Sequence, residues 1–117
     1  MKSNSKYGLS ETDLQDIVAV FESNARISSI ILFGSRAKGT YNPGSDIDLA
    51  LKGDNLDLQD ILEASVPLEE LFLAFKFDLI IYDRIKEDAL RKHIDTSGKI
   101  LFERKDVVEK KFQLKKN

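Results

Sequence analysis

Asp46 and Asp48 stand two residues apart in the run Ser45-Asp46-Ile47-Asp48-Leu49. In an extended strand such residues project from the same face, about 6.6 Å apart along the backbone from two rises of ~3.3 Å. Two carboxylates sharing a face beside an apolar core repel unless something positive lies between them. An oxygen-only donor set suits a hard divalent cation, Mg²⁺ or Mn²⁺. Upstream, Gly34 permits close approach of backbone to a ligand, and Ser35 offers a hydroxyl and an N–H at the start of a helical turn, a combination that grips phosphate. A phosphate grip beside a two-carboxylate metal site is what nucleotidyl transfer requires. Two-metal chemistry asks for a third carboxylate, and Asp78 is the candidate. It sits in Phe77-Asp78-Leu79-Ile80-Ile81-Tyr82, where Phe77 and Leu79 point to the opposite face. Taken singly, Gly34-Ser35 reads as an ordinary capped turn and the aspartates as a solvated strand face. Joined at this spacing, they favour a site.

These positions need a strand, a turn and two further strands to bring them together. Residues 30–33, Ile-Ile-Leu-Phe, form a short apolar run that reads as a buried strand broken by Gly34. Residues 35–38 fit one helical turn, and 39–45, rich in Gly, Pro and Asn, read as loop. Residues 46–52 alternate as a half-buried strand, and 77–82 give a third. Ser10 opens a helix with Asp13 in a capping-box relation, and Leu14, Ile17, Val18 and Phe21 mark its apolar face. Residues 56–74 read as helix, with Pro67 starting a second helix or kinking one. Another helix spans about 85–95, and 100–102 adds a short edge strand. Alternating strands and helices predict an α/β (α+β) sandwich with helices packed on a small mixed sheet.

Composition excludes other chemistries. The chain has 117 residues, enough for one domain. No cysteine is present, so disulfides, thiolate metal sites and a cysteine nucleophile are excluded, and the single histidine, His93, excludes multi-histidine zinc motifs. Eighteen basic against twenty acidic residues give a net charge of −2, which argues against direct binding of long nucleic acid by bulk electrostatics. No apolar run approaches the ~18 residues that span a bilayer. The polar start lacks a signal peptide's apolar centre, so the expected location is the cytoplasm. The expected organisation is a flexible leader over 1–9, a catalytic domain over 10–103 and a charged tail over 104–117.

The string Gly34-Ser35, ten residues, Asp46, one residue, Asp48, then Asp78 within an apolar strand resembles the nucleotidyltransferase superfamily with the polymerase-β-type palm core. In the fuller form G-S-x-A-x-G followed by S-D-x-D-L it is similar to the minimal nucleotidyltransferase branch, small antitoxins encoded beside HEPN-domain toxins. The segments FKFDLIIYD and KHIDTSGKILFE extend the likeness over roughly residues 10 to 103. The resemblance implies that Asp46 and Asp48 ligate metal, that Asp78 completes a second metal site and helps deprotonate the acceptor, and that Gly34 and Ser35 hold the β and γ phosphates. It further implies two Mg²⁺ ions, ATP as substrate, AMP transfer to a tyrosine hydroxyl of a HEPN partner, and a hetero-oligomer. The alternatives are a non-catalytic nucleotide-binding antitoxin that masks its partner, and a small-molecule nucleotidyltransferase.

Other residues admit two readings each. Arg36 is either a phosphate contact or a solvated charge. Ser45 either touches the nucleotide or bonds its own turn. Tyr41 either stacks on a base or packs into its loop. His93 reads as an ordinary cap or surface histidine. The tail lysines, diluted by Glu103, Asp106 and Glu109, read as a solvated terminus or, through Val108 and Phe112, as a short docking helix. A palm core takes about a hundred residues, so the acceptor is expected to come from another chain.

Overall fold

The computed structural model describes residues 5–72 and 74–104. The first helix, α1 (Glu11–Glu22), starts as its capping box demands. The Asp13 N–H donates to Ser10 Oγ at 3.0 Å, and the Asp13 carboxylate accepts from the Ser10 N–H at 3.2 Å. Strand β1 (Ile27–Phe33) leads directly into a short helix, α2 (Gly34–Lys38). Strand β2 (Ile47–Gly53) is followed by α3 (Leu58–Leu71), β3 (Phe77–Ile81), α4 (Asp88–Ser97) and β4 (Lys99–Glu103). The sheet order is β3-β2-β1-β4, with β2 and β3 parallel and the other pairs antiparallel. The mixed sheet with packed helices is therefore as expected.

The two faces of the sheet differ. On one, Ile17 and Phe21 of α1 and Ala64 and Leu68 of α3 pack against Ile30, Leu32, Leu49 and Leu51. On the other, Ile94 of α4 meets Ile31, Phe33 and Ala50, with Leu90, Tyr82 and Ile85 packed beside them. Strand alternation then dictates the placement of the acidic residues. Asp48 and Asp78 share the thinly covered face with Ala50 and Ile80, so they are neither drowned in the main core nor fully solvated.

Several boundaries depart from the sequence reading for identifiable reasons. Strand β1 begins at Ile27 rather than 30, because a bulge between Ile27 and Ser29 lets Ile27 and Ile30 face the same core. One helix runs through Pro67. It starts at an unforeseen capping box in which Asp57 and Asp60 exchange bonds, and Asp60 is further held by Asn24 and Arg26. Tyr82–Arg84 form a 3₁₀ turn, which delays α4 to Asp88. The end of the expected leader is not loose. Lys6 and Leu9 exchange backbone bonds of 2.9 and 2.8 Å, and Leu9 is fully buried. The tail lysines from Lys105 onward, with Val108 and Phe112, lie outside the described residues. Among the described residues no helix is long and apolar enough to cross a membrane.

Candidate active site

The site is built on the β1–α2 junction and the two strands beside it. Gly34 turns the chain with φ +76, a conformation that disfavours side chains. A second constraint is steric, since a Cβ at this position would collide with the Asp48 carboxylate. The strand-to-helix turn therefore lies directly against Asp48. Phe33, one residue earlier, is in register with Asp48 across the β1–β2 pair, and Asp78 is in register with it across the β2–β3 pair. Asp48 thus stands between an aromatic ring and a second carboxylate. Asp46 closes the approach from the loop immediately before β2.

This crowding has an electrostatic signature. The Asp48 carboxyl is pushed up from 3.8 to about 6, first by burial, then by the negative charges of Asp78 and Asp46, with Arg36 opposing the rise. Both neighbouring carboxylates therefore act on Asp48. Among the described residues no three acidic or histidine side chains are already arranged to hold a metal ion. What the arrangement offers is two exposed carboxylates flanking a half-buried one. Such an oxygen-only set gains most from a hard divalent cation whose remaining ligands come from water or phosphate.

The flanking residues fall into two groups. The Ser35 hydroxyl makes no hydrogen bond among the described residues and sits partly exposed at the start of α2. Lys38 is exposed at the end of the same turn. Arg36, by contrast, is buried at 1% exposure. Its guanidinium donates to the Ser45 carbonyl through Nε at 3.2 Å and through one terminal nitrogen at 2.9 Å. It also reaches the carbonyls of Tyr7 at 2.9 Å and Pro43 at 3.3 Å. The rings of Tyr41 and Phe75 lie about its carbon at 5.4 and 5.3 Å. Neither earlier reading describes this, because Arg36 clamps the loop that delivers Asp46. Ser45 follows its turn reading: its hydroxyl accepts from the Asn42 N–H at 3.0 Å, and its own N–H donates to the Asn42 carbonyl at 3.0 Å. Tyr41 is packed on Arg36 rather than left free in the loop.

For one neighbour the sequence suggested a cap or surface role but not its partner. His93, on α4, accepts a hydrogen bond from the Gly34 N–H at 2.9 Å. The partners are 59 residues apart, and no local signal joins them. Among the described residues β3, which carries Asp78, is the outer strand of the sheet, and an apolar groove of about 530 Å³ lies beside it, lined in part by Leu58, Ile61, Leu79, Ile81 and Leu90.

Gly34→Ala is expected to lower stability by about 1–2 kcal/mol through the left-handed backbone alone. Displacement of Asp48 should in addition weaken divalent-cation binding at least tenfold by order of magnitude. Thermal melts and Mn²⁺ titration check the two effects separately.

Comparison with known proteins gives the family and the fold. The family model for polymerase β nucleotidyltransferases matches residues 15–107. No curated protein matches the chain significantly. Among solved structures, a toxin–antitoxin structure with AMP-PNP is 28% identical, with a TM-score of 0.66 over 83% of this chain and 78% of that one. An MntA–HepT toxin–antitoxin structure is 26% identical, with a TM-score of 0.58 over 82% and 74% of the two chains. A tri-AMPylated Shewanella oneidensis HEPN toxin in complex with an MNT antitoxin, 24% identical with a TM-score of 0.58 over 82% and 74%, shares the fold. With the glycine turn set against paired strand carboxylates and the match running through every element that carries them, the chain belongs to the polymerase β nucleotidyltransferase family.

Proposed function

We propose that this protein is an antitoxin that transfers AMP from ATP to a tyrosine hydroxyl of a HEPN-domain toxin with which it assembles in the cytoplasm. The observation that carries the reading is the in-register pair Asp48–Asp78 with Asp46 beside it, strained enough to hold Asp48 near 6. Family membership supports nucleotidyl transfer, and toxin–antitoxin neighbours above a quarter identity, one with AMP-PNP, support the nucleotide and the partner.

The residues divide the work as follows. Gly34 and Ser35 bind the β and γ phosphates through backbone N–H and hydroxyl. Asp46 and Asp48 hold divalent ions, Mg²⁺ or Mn²⁺, and Asp78 completes the second position. Held by these carboxylates, such ions would supply charge neutralisation for the triphosphate and Lewis-acid activation of the transfer. Among the described residues Asp78 lies on the outer strand of the sheet and is exposed, so an acceptor carried by another chain can reach it. It orients the tyrosine hydroxyl and takes up its proton. The tyrosine oxygen then bonds to the α phosphorus, the bond from that phosphorus to the bridging oxygen breaks, and pyrophosphate leaves.

The test is direct. ATP labelled at the α phosphate, incubated with the complex and Mg²⁺, should label the toxin band, and ATP labelled at the γ phosphate should not. Absence of label with either divalent ion would sink the transfer. Neutralisation of the toxin by a protein lacking Asp46 and Asp48 would reassign it to a masking subunit.

A further inference from the structure

Helix α2 begins without a local cap. Phe33 precedes it and supplies no side-chain acceptor, and the first N–H groups of a helix have no partner inside it. The first of these is satisfied from another layer of the molecule, where the Gly34 N–H donates to His93 Nε2 at 2.9 Å. The accepting nitrogen is the one that carries no proton. The imidazole is itself well placed. It stands edge-on to Phe33, with ring centroids 6.2 Å apart and planes at 74°. The next residue, Ile94, is buried against Ile31, Phe33 and Ala50.

The peptide so held joins the two halves of the site. On its strand side Phe33 faces Asp48 in register, and on its helix side Gly34 has no room for a Cβ because the Asp48 carboxylate is there. Rotation of this peptide would swing the Ser35 N–H and hydroxyl, which follow it directly, and would press on Asp48. Phe33 supplies no cap and Gly34 no side chain, so among the described residues the side chain that holds this N–H is His93.

We infer that His93 is a positioning residue for nucleotide binding. By accepting the Gly34 N–H it fixes the peptide that aims Ser35 at the phosphates. The inference rests on the nucleotidyl-transfer reading and assigns His93 no contact with the reacting atoms.

The test compares His93→Phe, which keeps a ring against Phe33 but accepts no hydrogen bond, with His93→Gln, whose Oε1 reaches about as far as Nε2. Each full-length variant is studied in complex with the toxin. The readouts are AMP-PNP affinity by calorimetry with Mg²⁺, KM for ATP and kcat for transfer, and Tm. His93→Phe should weaken AMP-PNP binding and raise KM about tenfold, leave kcat within about twofold and leave Tm near that of the parent. His93→Gln should restore affinity to within about threefold. Unaltered AMP-PNP affinity in His93→Phe overturns the inference. So does a His93→Gln protein as impaired as His93→Phe, which reduces the contact to packing. Failure of the unsubstituted complex to bind AMP-PNP removes the underlying reading and this one with it. Binding without transfer removes only the proposed reaction and leaves the affinity comparison decisive for His93.

Discussion

Asp48→Asn is expected to lower AMP transfer by about a thousandfold or more while making the metal-free protein more stable. The first effect follows from the charge stabilisation that bound divalent ions supply, several kcal/mol at the phosphates, which a neutral amide cannot anchor. The second follows from the site's own repulsion. Asp48 sits half-buried beside Phe33, between Asp78 and Asp46, and its carboxyl is pushed up from 3.8 to about 6. For a fully enclosed group a rise of that size corresponds to roughly 3 kcal/mol. Asp48 is only partly enclosed, and solvent screening reduces the figure to about 1 kcal/mol, or roughly 4 °C in Tm for a domain of this size.

The same shift sets a pH dependence whose sign is opposite to that of a salt-bridged aspartate. Because the folded state holds the proton more tightly than the unfolded chain, the folded state binds extra proton between pH about 4 and about 6. Stability of the metal-free protein therefore falls as pH rises through that window, and the contribution is fully present only below it. Metal affinity runs the other way, since a cation must displace the proton below about pH 6. Denaturant melts and Mg²⁺ titrations at about pH 5 and about pH 7 separate the two, and both slopes should flatten in Asp48→Asn. A variant that loses stability instead would mean that Asp48 is held by favourable bonds and is not the strained centre of the site.

How much of this was legible in the residues depends on the range of the forces involved. The strand faces were legible, because alternation in 46–52 and 77–82 is enforced by one apolar layer, and it puts Asp48 and Asp78 on one face provided the two strands are neighbours. The β3–β2 register, which sets them side by side, is a tertiary fact, although a parallel neighbour is the arrangement the helix between them favours. The Gly34 turn was legible as a break. Its collision with Asp48 was not, since that contact joins residues from different strands. The start of β1 was misjudged because Ser28 and Ser29 resemble a boundary, while a bulge lets the strand carry both and still bury Ile27. Leu9 hid in a polar segment as one apolar residue without periodicity. The partners of Arg36 and His93 were not legible for a common reason. They are main-chain groups, which every residue possesses and which leave no mark in the sequence.

Arg36 supplies the largest expected loss of stability. In Arg36→Met the side chain keeps its bulk, but the carbonyls of Tyr7, Pro43 and Ser45 lose the donor that joins them. Charge-assisted bonds of this kind contribute about 1.5–3 kcal/mol each, and partial hydration of surface carbonyls offsets some of that, so a net loss of about 3 kcal/mol is expected. For a domain of this length that corresponds to a fall in Tm of roughly 10 °C. The kinetic consequence should appear in kcat, because the freed loop ends at Asp46, and the placement of this proposed metal ligand depends on the Ser45 carbonyl being pinned. Loss of the positive charge should also let the Asp48 carboxyl rise further, moving the acid limb of metal binding to higher pH. Arg36→Lys keeps the charge but not the fork, and an ammonium cannot reach three carbonyls laid out for a planar guanidinium. It should hold the pH limb near that of the parent while recovering less than half of the lost stability, roughly 1 kcal/mol. A phosphate ligand would behave differently on every count, since lysine serves that role well. Arg36→Lys would then retain activity, and Arg36→Met would raise KM for ATP with Tm intact. Melting curves of the two variants, read beside their KM and kcat, therefore decide whether this guanidinium holds the loop or the nucleotide.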